Sequence, residues 1–255
     1  MRPPLEVADI FRAQGPAYRQ ARRGHLSLGQ LKVMSAIERC RTAELGGHRL
    51  RCVDGCPEVE IAYNSCRNRH CPKCLSTAAA RWLTARRAEL LPIRYFHAVF
   101  TLPQQLRDIA YQNPRVVYEI LFKTAAESLL RLAADPKHLG AKIGITALLH
   151  TWGSNLIHHP HLHCIVTGGG LAPRTGLAPE KPQWIHSRDN FLVPVRVLSR
   201  LFRRRFLEEL HKAYEHGQLE FFGELTELTD PAWFEERLRE LKRLQWVVEI
   251  GRAHV

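Results

Sequence analysis

The chain has 255 residues, 45% of them hydrophobic and 24% charged, which is the composition of an ordinary globular protein with room for one or two domains. Lys and Arg number 37 against 25 Asp and Glu, and the formal net charge of +12 favours an anionic partner, with nucleic acid as the first candidate. The sequence has no apolar run long enough to cross a membrane and no apolar signal segment at its start, so we expect a cytoplasmic protein.

The first forty residues predict helical structure. Residues 1–25 are rich in arginine and are expected to form an arm or a short helix. This segment could contact phosphate groups, or it could simply be solvated. From Ser27 onward, apolar residues recur at helical spacing and predict a helix that leads into Cys40. The residues of that apolar face are Leu28, Leu31, Met34 and Ile37.

Six of the seven cysteines lie between Cys40 and Cys74. In a reducing compartment this density indicates metal binding and not disulfides. Two close pairs have the spacing of a structural zinc site, which predicts that one zinc ion is held by Cys52, Cys56, Cys71 and Cys74. The other ligand-type residues of the segment could form a second zinc site, made of Cys40, His48, Cys66 and His70.

Basic side chains are interleaved with these ligands. Their pattern predicts a zinc-folded surface that contacts DNA, although solvated charge on a zinc module is an alternative. The predicted DNA-binding residues of this segment are Arg67, Arg69, Lys73 and Arg81. Arg203 and Arg204 belong to a further basic patch on a later predicted helix.

A helix over 76–91 is expected to end at Pro92, which predicts a domain boundary between 1–92 and 93–255. The second part mixes strand and helix patterns, and its strands over 143–149 and through His161 are expected to pair antiparallel. Its other predicted elements are strands over 95–101, 191–195 and from 246, and helices over 114–134, over 198–214 and after Asp230.

The segment His158 to Gly170 carries a second metal-binding pattern. Residues i and i+2 of a strand point to the same face, so the imidazoles of His161 and His163 can reach one ion while Leu162 turns into the core. We expect the glycines at 168–170 to end this strand. The histidine pair implies a metal ion without choosing which one.

An open metal site usually has a third protein ligand. Candidates are His150 at the end of the neighbouring predicted strand, His97 on the first strand of the second domain, and His159. An ordinary polar or packing role is the alternative for each of them.

Five stretches, in this order, resemble the HUH-type rolling-circle transposases of the group named for insertion sequence ninety-one. They are residues 40–48, 63–74, 95–103, 149–153 and 159–163. The resemblance implies an α+β protein, with a helical zinc-knuckle domain followed by an HUH endonuclease domain whose central antiparallel sheet is flanked by helices. It further implies structural Zn²⁺, catalytic Mg²⁺ or Mn²⁺ at His161 and His163, and a nucleoid-associated protein whose DNA partner is a single-stranded or hairpin element end.

In such enzymes the two histidines hold the ion against the scissile phosphate, and a tyrosine attacks to give a 5′-phosphotyrosyl link and a free 3′-hydroxyl. The family places a Tyr-x-x-x-Tyr pair beyond a segment resembling Gln245–Val248, and no such pair occurs in these 255 residues. Tyr214 has the apolar spacing of its helix and is predicted to be a core residue. The catalytic nucleophile is therefore expected to be missing from this chain.

Two features depart from the family pattern. Cys52 and Cys56 are separated by three residues where the family commonly has two. Residues 249–255 resemble the translation of a sequencing-library adapter, so we expect a reading frame cut short there and exclude this tail from fold prediction.

Two other functions are alternatives to the transposase interpretation. A zinc-dependent protein that binds DNA without cutting it remains the main alternative, because the expected nucleophile is missing. A barrel-type metal hydrolase is disfavoured, because the cysteines precede the histidine pair and the chain after that pair is too short for a (β/α)8 barrel.

Overall fold

The computed structural model describes residues 5–53, 56–153, 155, 157–173 and 183–253. The chain divides into two compact units, Met1–Leu91 and Pro92–Val255. The helices of the described residues are α1 (Val7–Ala21), α2 (Leu28–Arg39), α3 (Pro72–Ala88), α4 (Arg107–Gln112), α5 (Pro114–Ala134), α6 (Val195–Glu215) and α7 (Pro231–Arg243). Their strands are β1 (Gly47–Arg51), β2 (Val59–Tyr63), β3 (Tyr95–Thr101), β4 (Lys142–Trp152), β5 (His158–Leu171), β6 (Trp184–His186) and β7 (Val248–Ala253).

The first unit is built from helices and one small hairpin. The predicted helix after Ser27 is confirmed as α2, whose start is closed by reciprocal hydrogen bonds between Ser27 and Gln30. The arginine-rich segment contains α1, which packs on α2 through Ala8 and Ile37. Strands β1 and β2 pair antiparallel and were not predicted. Both are short and largely exposed, and β1 has no apolar alternation.

The second unit contains an antiparallel sheet with the strand order β4-β5-β3-β7, and β6 pairs with the outer part of β5. The predicted antiparallel pairing of the strand before Trp152 with the His161 strand is confirmed. In the registers, His150 lies opposite His161, and His163 lies between Leu148 on β4 and Val99 on β3.

The two faces of this sheet have different partners. On one face, Phe96, Phe100 and Leu162 are fully or almost fully buried in a core shared with α5 and α6. Burial of each such side chain contributes about 1.5–3 kcal/mol. Because side chains alternate along a strand, His161 and His163 lie on the opposite face, where they are only partly buried.

Helices α5 and α6 are also joined by two ion pairs. Lys123 Nζ lies 2.5 Å from Glu209 Oε2, and Arg205 pairs with Glu127. These contacts fix the helix pair that covers the buried face of the sheet.

Three predictions of the second unit are wrong. The described structure has no strand over 191–195. Pro194 instead precedes the first residue of α6, and the fixed φ of proline suits a helix start. The glycines at 168–170 continue β5 instead of ending it. A Cβ on Gly169 or Gly170 would collide with the backbone of the strands on either side, so these glycines permit close pairing.

The third wrong prediction is the exclusion of the tail, residues 249–255, from the fold. Residues Val248–Ala253 form β7, which pairs antiparallel with β3 and buries Val248 on the helix side. The helix predicted after Asp230 is confirmed as α7, with the Asp230 carboxylate accepting the N–H of Ala232.

Candidate metal centres

Four cysteines of the first unit converge on one point. They are Cys40 at the end of α2, Cys66 after the hairpin, and Cys71 and Cys74 at the start of α3. Their sulfur atoms all lie within 4.8 Å of one another, and Cys40 and Cys71 are fully buried. The cluster and the small core around it therefore tie these three segments together.

The sulfur geometry fits zinc. Cys74 Sγ lies 3.7 Å from the Sγ atoms of both Cys40 and Cys66. A tetrahedral zinc with Zn–S bonds of about 2.3 Å requires S–S distances of about 3.8 Å. Backbone N–H groups also point at the sulfurs, with Asn68 N 3.5 Å from Cys66 Sγ and Cys66 N 3.5 Å from Cys40 Sγ. Such donors stabilise thiolates and are typical of structural zinc sites.

The predicted grouping of the ligands differs from the structure. Cys71 and Cys74 are joined by Cys40 and Cys66, which the sequence spacing assigned to a second site, and not by Cys52 and Cys56. Cys52 and Cys56 are exposed and lie outside the group, since they flank the connection between β1 and β2.

The histidines of the predicted second zinc site do not join the group either. Within the described residues, His48 and His70 are exposed and belong to no cluster of three or more metal-binding side chains. His48 lies on β1, and the ring of His70 is approached by Arg69 Nε at 3.4 Å. Because Cys66 and Cys40 belong to the first group, the described structure does not bring the four predicted ligands of a second zinc site together.

Three of these thiols, Cys40, Cys66 and Cys74, have shifted pKa values. Burial raises the pKa of Cys40 and raises that of Cys66 to about 12. At Cys74 burial acts in the same direction, but hydrogen bonds from the neighbouring thiols and from the Arg67 backbone outweigh it and lower the pKa. Four sulfurs this close cannot all be thiolates unless a cation compensates their charge, and zinc does so by displacing the remaining protons.

Three histidines form a second candidate centre, on the less buried face of the sheet. His161 and His163 come from β5 and His150 from β4, and ring nitrogens of all three lie within 4.8 Å of one another. The ring centroids of His150 and His163 are 4.4 Å apart, and those of His161 and His163 are 4.9 Å apart. The side chains at 161 and 163 share a face because they are two residues apart, as the sequence indicated.

The Nδ1 atoms of His161 and His163 are already engaged. His161 Nδ1 lies 2.7 Å from the backbone oxygen of His159. A carbonyl oxygen only accepts hydrogen bonds, so Nδ1 carries the proton and Nε2 has the free lone pair. His163 Nδ1 lies 2.7 Å from Nε2 of His97. Both contacts leave Nε2 available, and a metal-bound histidine characteristically uses its other nitrogen in this way.

The three candidates for the third ligand therefore occupy different positions. His150 is the one that joins His161 and His163, His97 contacts the ring of His163 from β3, and the His159 ring lies 5.3 Å from that of His161. Burial, together with the neighbouring imidazoles, lowers the pKa of His163 and favours the neutral form that binds a metal.

Tyr214 is partly buried and packs against the core, as its apolar spacing predicted. Its ring stacks on that of Phe234 with centroids 3.9 Å apart, and its hydroxyl donates to the Thr229 carbonyl. Burial and two nearby carboxylates, Asp230 and Glu235, raise its pKa, which disfavours a phenolate. The seventh cysteine, Cys164, is also buried, with its pKa raised by burial to about 12.

Some of the predicted DNA-binding side chains are exposed to solvent, and others are engaged in contacts within the protein. Arg67, Arg69 and Arg81 are exposed, whereas Lys73 forms an ion pair with Glu6 at 2.6 Å. In the second unit, Arg204 is exposed, whereas Arg203 donates to the Leu244 carbonyl at the end of α7.

The fold and both centres define a class. The chain is an α+β protein with a four-cysteine zinc-type site in one unit and an antiparallel sheet carrying a three-histidine centre in the other. No helix of the described residues is both long and apolar enough to span a membrane.

Comparison with known proteins agrees with this class. The family described as "Transposase zinc-binding domain" matches residues 10–102, and the family described as "Putative transposase" matches residues 144–254. The protein named "Putative transposase y4qJ" of Sinorhizobium fredii is 56% identical over 95% of this chain. The "Transposase for insertion sequence element IS801" of Pseudomonas savastanoi is 33% identical over 66% of it.

The chain belongs to the IS91 family of transposases and carries the zinc-binding domain of that family. The matches cover 59% and 40% of the lengths of the two relatives, so the chain spans less than two thirds of either. No solved structure matches it.

Proposed function

We propose that this chain is the DNA-processing part of a rolling-circle transposase, which nicks single-stranded DNA at an element end and rejoins it through a phosphotyrosine. In this proposal residues 1–92 are the DNA-recognition domain and 93–255 belong to an HUH nuclease domain. The observation that supports it most is the convergence of His150, His161 and His163 on one face of the sheet.

The three imidazoles would hold a divalent ion through Nε2 of His161 and His163 and one ring nitrogen of His150. When bound, the ion supplies charge withdrawal from a phosphodiester and orients it. Mg²⁺ prefers oxygen ligands in octahedral geometry, and imidazole is a softer donor. Of the two expected ions, Mn²⁺ therefore fits this donor set better.

The proposed chemical step is a transesterification. A tyrosine hydroxyl loses its proton and its oxygen forms a bond to phosphorus, the bond from phosphorus to the 3′-oxygen breaks, and that oxygen takes up a proton. The 5′-phosphotyrosyl ester conserves the energy of the broken bond, so a DNA hydroxyl can later reverse the step without another energy source. We propose that the tyrosine belongs to a part of the protein outside these 255 residues, because the Tyr214 ring is stacked on Phe234 and its hydroxyl is bonded to the Thr229 carbonyl.

The first unit would bind the same DNA. Zinc folds the segment that carries the exposed side chains Arg67, Arg69 and Arg81, and arginines of this kind contact phosphates. Arg204 is a further exposed basic residue in the second unit. Binding by these residues would place the protein on single-stranded or hairpin DNA in the nucleoid, with affinity that falls steeply as salt rises.

A denaturing gel tests the proposal. Labelled single-stranded DNA carrying an element end is incubated with Mn²⁺ and the chain extended by the continuation of its reading frame. We expect a covalent protein–DNA adduct that disappears in the double variant His161→Ala and His163→Ala. The control is His186→Ala, which removes an exposed histidine on β6.

The outcomes of this assay are distinct. An adduct formed by the 255-residue chain itself would show that one of its own tyrosines attacks. Failure of the extended chain to form any adduct would favour the alternative, a zinc-dependent protein that binds DNA without cutting it.

A further inference from the structure

A small pocket lies at the end of the sheet where β5 begins. It has a volume of about 300 Å³. Two proline rings, Pro103 and Pro160, and the side chains of Gln104 and Arg107 contribute to its wall. The pocket thus combines apolar surface with an amide and a guanidinium, which is the usual make-up of a site for a small planar ligand.

Exposed aromatic rings adjoin this pocket through His158, which lines it. The ring centroids of Trp152 and Tyr111 lie 5.5 Å and 5.4 Å from that of His158. Trp152 is 53% exposed and Tyr111 is 62% exposed, although both sit on regular elements of the fold. His158 is itself fixed by a 2.8 Å hydrogen bond between its Nε2 and the Tyr118 hydroxyl.

His159 connects the same pocket with the histidine centre. His159 also lines the pocket, and the ring of His159 lies 5.3 Å from the ring of His161. A phosphate held at the three histidines would therefore lie close to His159, one of the residues that line the pocket.

We infer that this pocket, with Trp152 and Tyr111 beside it, binds one unpaired nucleobase of the strand whose phosphate lies at the histidine centre. The inference rests on the proposed function, since it takes DNA as the substrate. Aromatic rings stack on any base, and Gln104 and Arg107 offer hydrogen-bond donors and an acceptor to the base edge. A base inside a duplex is covered by its neighbours and its pairing partner, so the pocket selects single strands.

Fluorescence anisotropy with the 255-residue chain tests this inference. The two probes are a labelled oligothymidine and an abasic oligomer with the same number of phosphates. We expect the abasic oligomer to bind about 5- to 100-fold more weakly, which corresponds to the loss of base stacking. Trp152→Ala should lower oligothymidine binding to the level of the abasic oligomer, and Trp152→Phe should restore most of it.

The matched control is Trp233→Ala, which removes a tryptophan of similar exposure, 57%, on α7. This variant should bind both oligomers as the wild type does. Equal binding of both oligomers by the wild type, or equal losses in the two tryptophan variants, would overturn the inference. Should Trp152→Ala fail to fold, Gln104→Ala serves instead, since loss of its amide should alter the preference between oligothymidine and oligoadenosine.

Mn²⁺ binding, measured on the same samples, separates this inference from the proposed function. Trp152→Ala should leave Mn²⁺ affinity unchanged, because the indole is not a metal ligand. If the wild type binds Mn²⁺ but does not prefer oligothymidine over the abasic oligomer, the base-binding pocket is refuted and the proposed function is not. The adduct assay described above decides the nicking activity.

Discussion

His97 Nε2 lies 2.7 Å from His163 Nδ1, and the planes of the two imidazole rings are within 6° of parallel. His97 belongs to β3 and His163 to β5, so the contact joins neighbouring strands of the sheet. For His163 to bind an ion through Nε2, its Nδ1 must carry the proton and donate it to His97. His97 is therefore a positioning residue that fixes the orientation and tautomer of a candidate metal ligand.

Replacement of His97 by alanine should weaken Mn²⁺ binding by about 10- to 100-fold, the usual effect of losing such a partner. His97→Gln should recover part of the Mn²⁺ affinity, because the amide oxygen can accept the same hydrogen bond from His163 Nδ1. Titration calorimetry measures both. A wild-type affinity in His97→Ala would show that the contact does not orient His163.

The third ligand can be identified in the same titration. His150→Ala should lower Mn²⁺ affinity because it removes one of the three converging nitrogens. His159→Ala should change it much less, since the backbone oxygen of residue 159, which holds His161 Nδ1, is retained. The reverse order of effects would make His159 the ligand.

The four-cysteine cluster predicts which thiols hold zinc. Purified chain should contain about one zinc ion, and Cys66→Ser or Cys74→Ser should lose it and unfold the first unit, because metal binding supplies much of the folding free energy of such a site. Metal analysis by mass spectrometry and circular dichroism measure the two effects.

Cys52→Ser and Cys56→Ser are the matched controls for that experiment. Both residues are exposed and lie outside the cluster, so these variants should keep their zinc. Loss of zinc in the controls, with retention in Cys66→Ser, would restore the grouping predicted from sequence.

The link between α5 and α6 predicts a dependence of stability on pH. Hydrogen bonds from Lys123 and Lys212 lower the pKa of Glu209 from 4.5 to about 2. A carboxyl group whose pKa is lowered by folding stabilises the folded state at any pH above its ordinary pKa. This stabilisation is lost as the pH falls from 4.5 towards 2.

Glu209→Gln should therefore destabilise the chain near neutral pH by about 0.5–1 kcal/mol, since both lysines are largely solvated. Urea unfolding measures this difference, which should shrink as the pH falls towards 2. Glu208→Gln is the control, because its partner Arg204 is exposed and 3.7 Å away. A difference that does not depend on pH would contradict the assignment.

Local patterns in the sequence were sufficient for much of the fold. The period-2 spacing of His161 and His163, and the apolar faces of α2 and α5, depend only on neighbours along the chain, and these elements were found. Pro194 misled the prediction because a proline fits both an edge strand and a helix start, and tertiary contacts of the residues after it decide between the two.

Contacts between distant segments were not accessible in the same way. Cys40 joins Cys74 because α2 and α3 meet in the small core of the first unit, whereas spacing alone favoured Cys52 and Cys56. The glycines of β5 resemble a strand end in sequence, and only the adjacent backbones of β4 and β6 show why they are needed.

In the proposed function, the histidine centre binds a divalent ion that contacts a phosphate of single-stranded DNA. Electron–nuclear double resonance of Mn²⁺ bound to the chain with single-stranded DNA tests it most directly. We expect nitrogen couplings from imidazole and a phosphorus coupling from DNA on the same ion, with both lost in the double variant His161→Ala and His163→Ala. A phosphorus coupling without imidazole nitrogen, or couplings unchanged in that variant, would contradict the account.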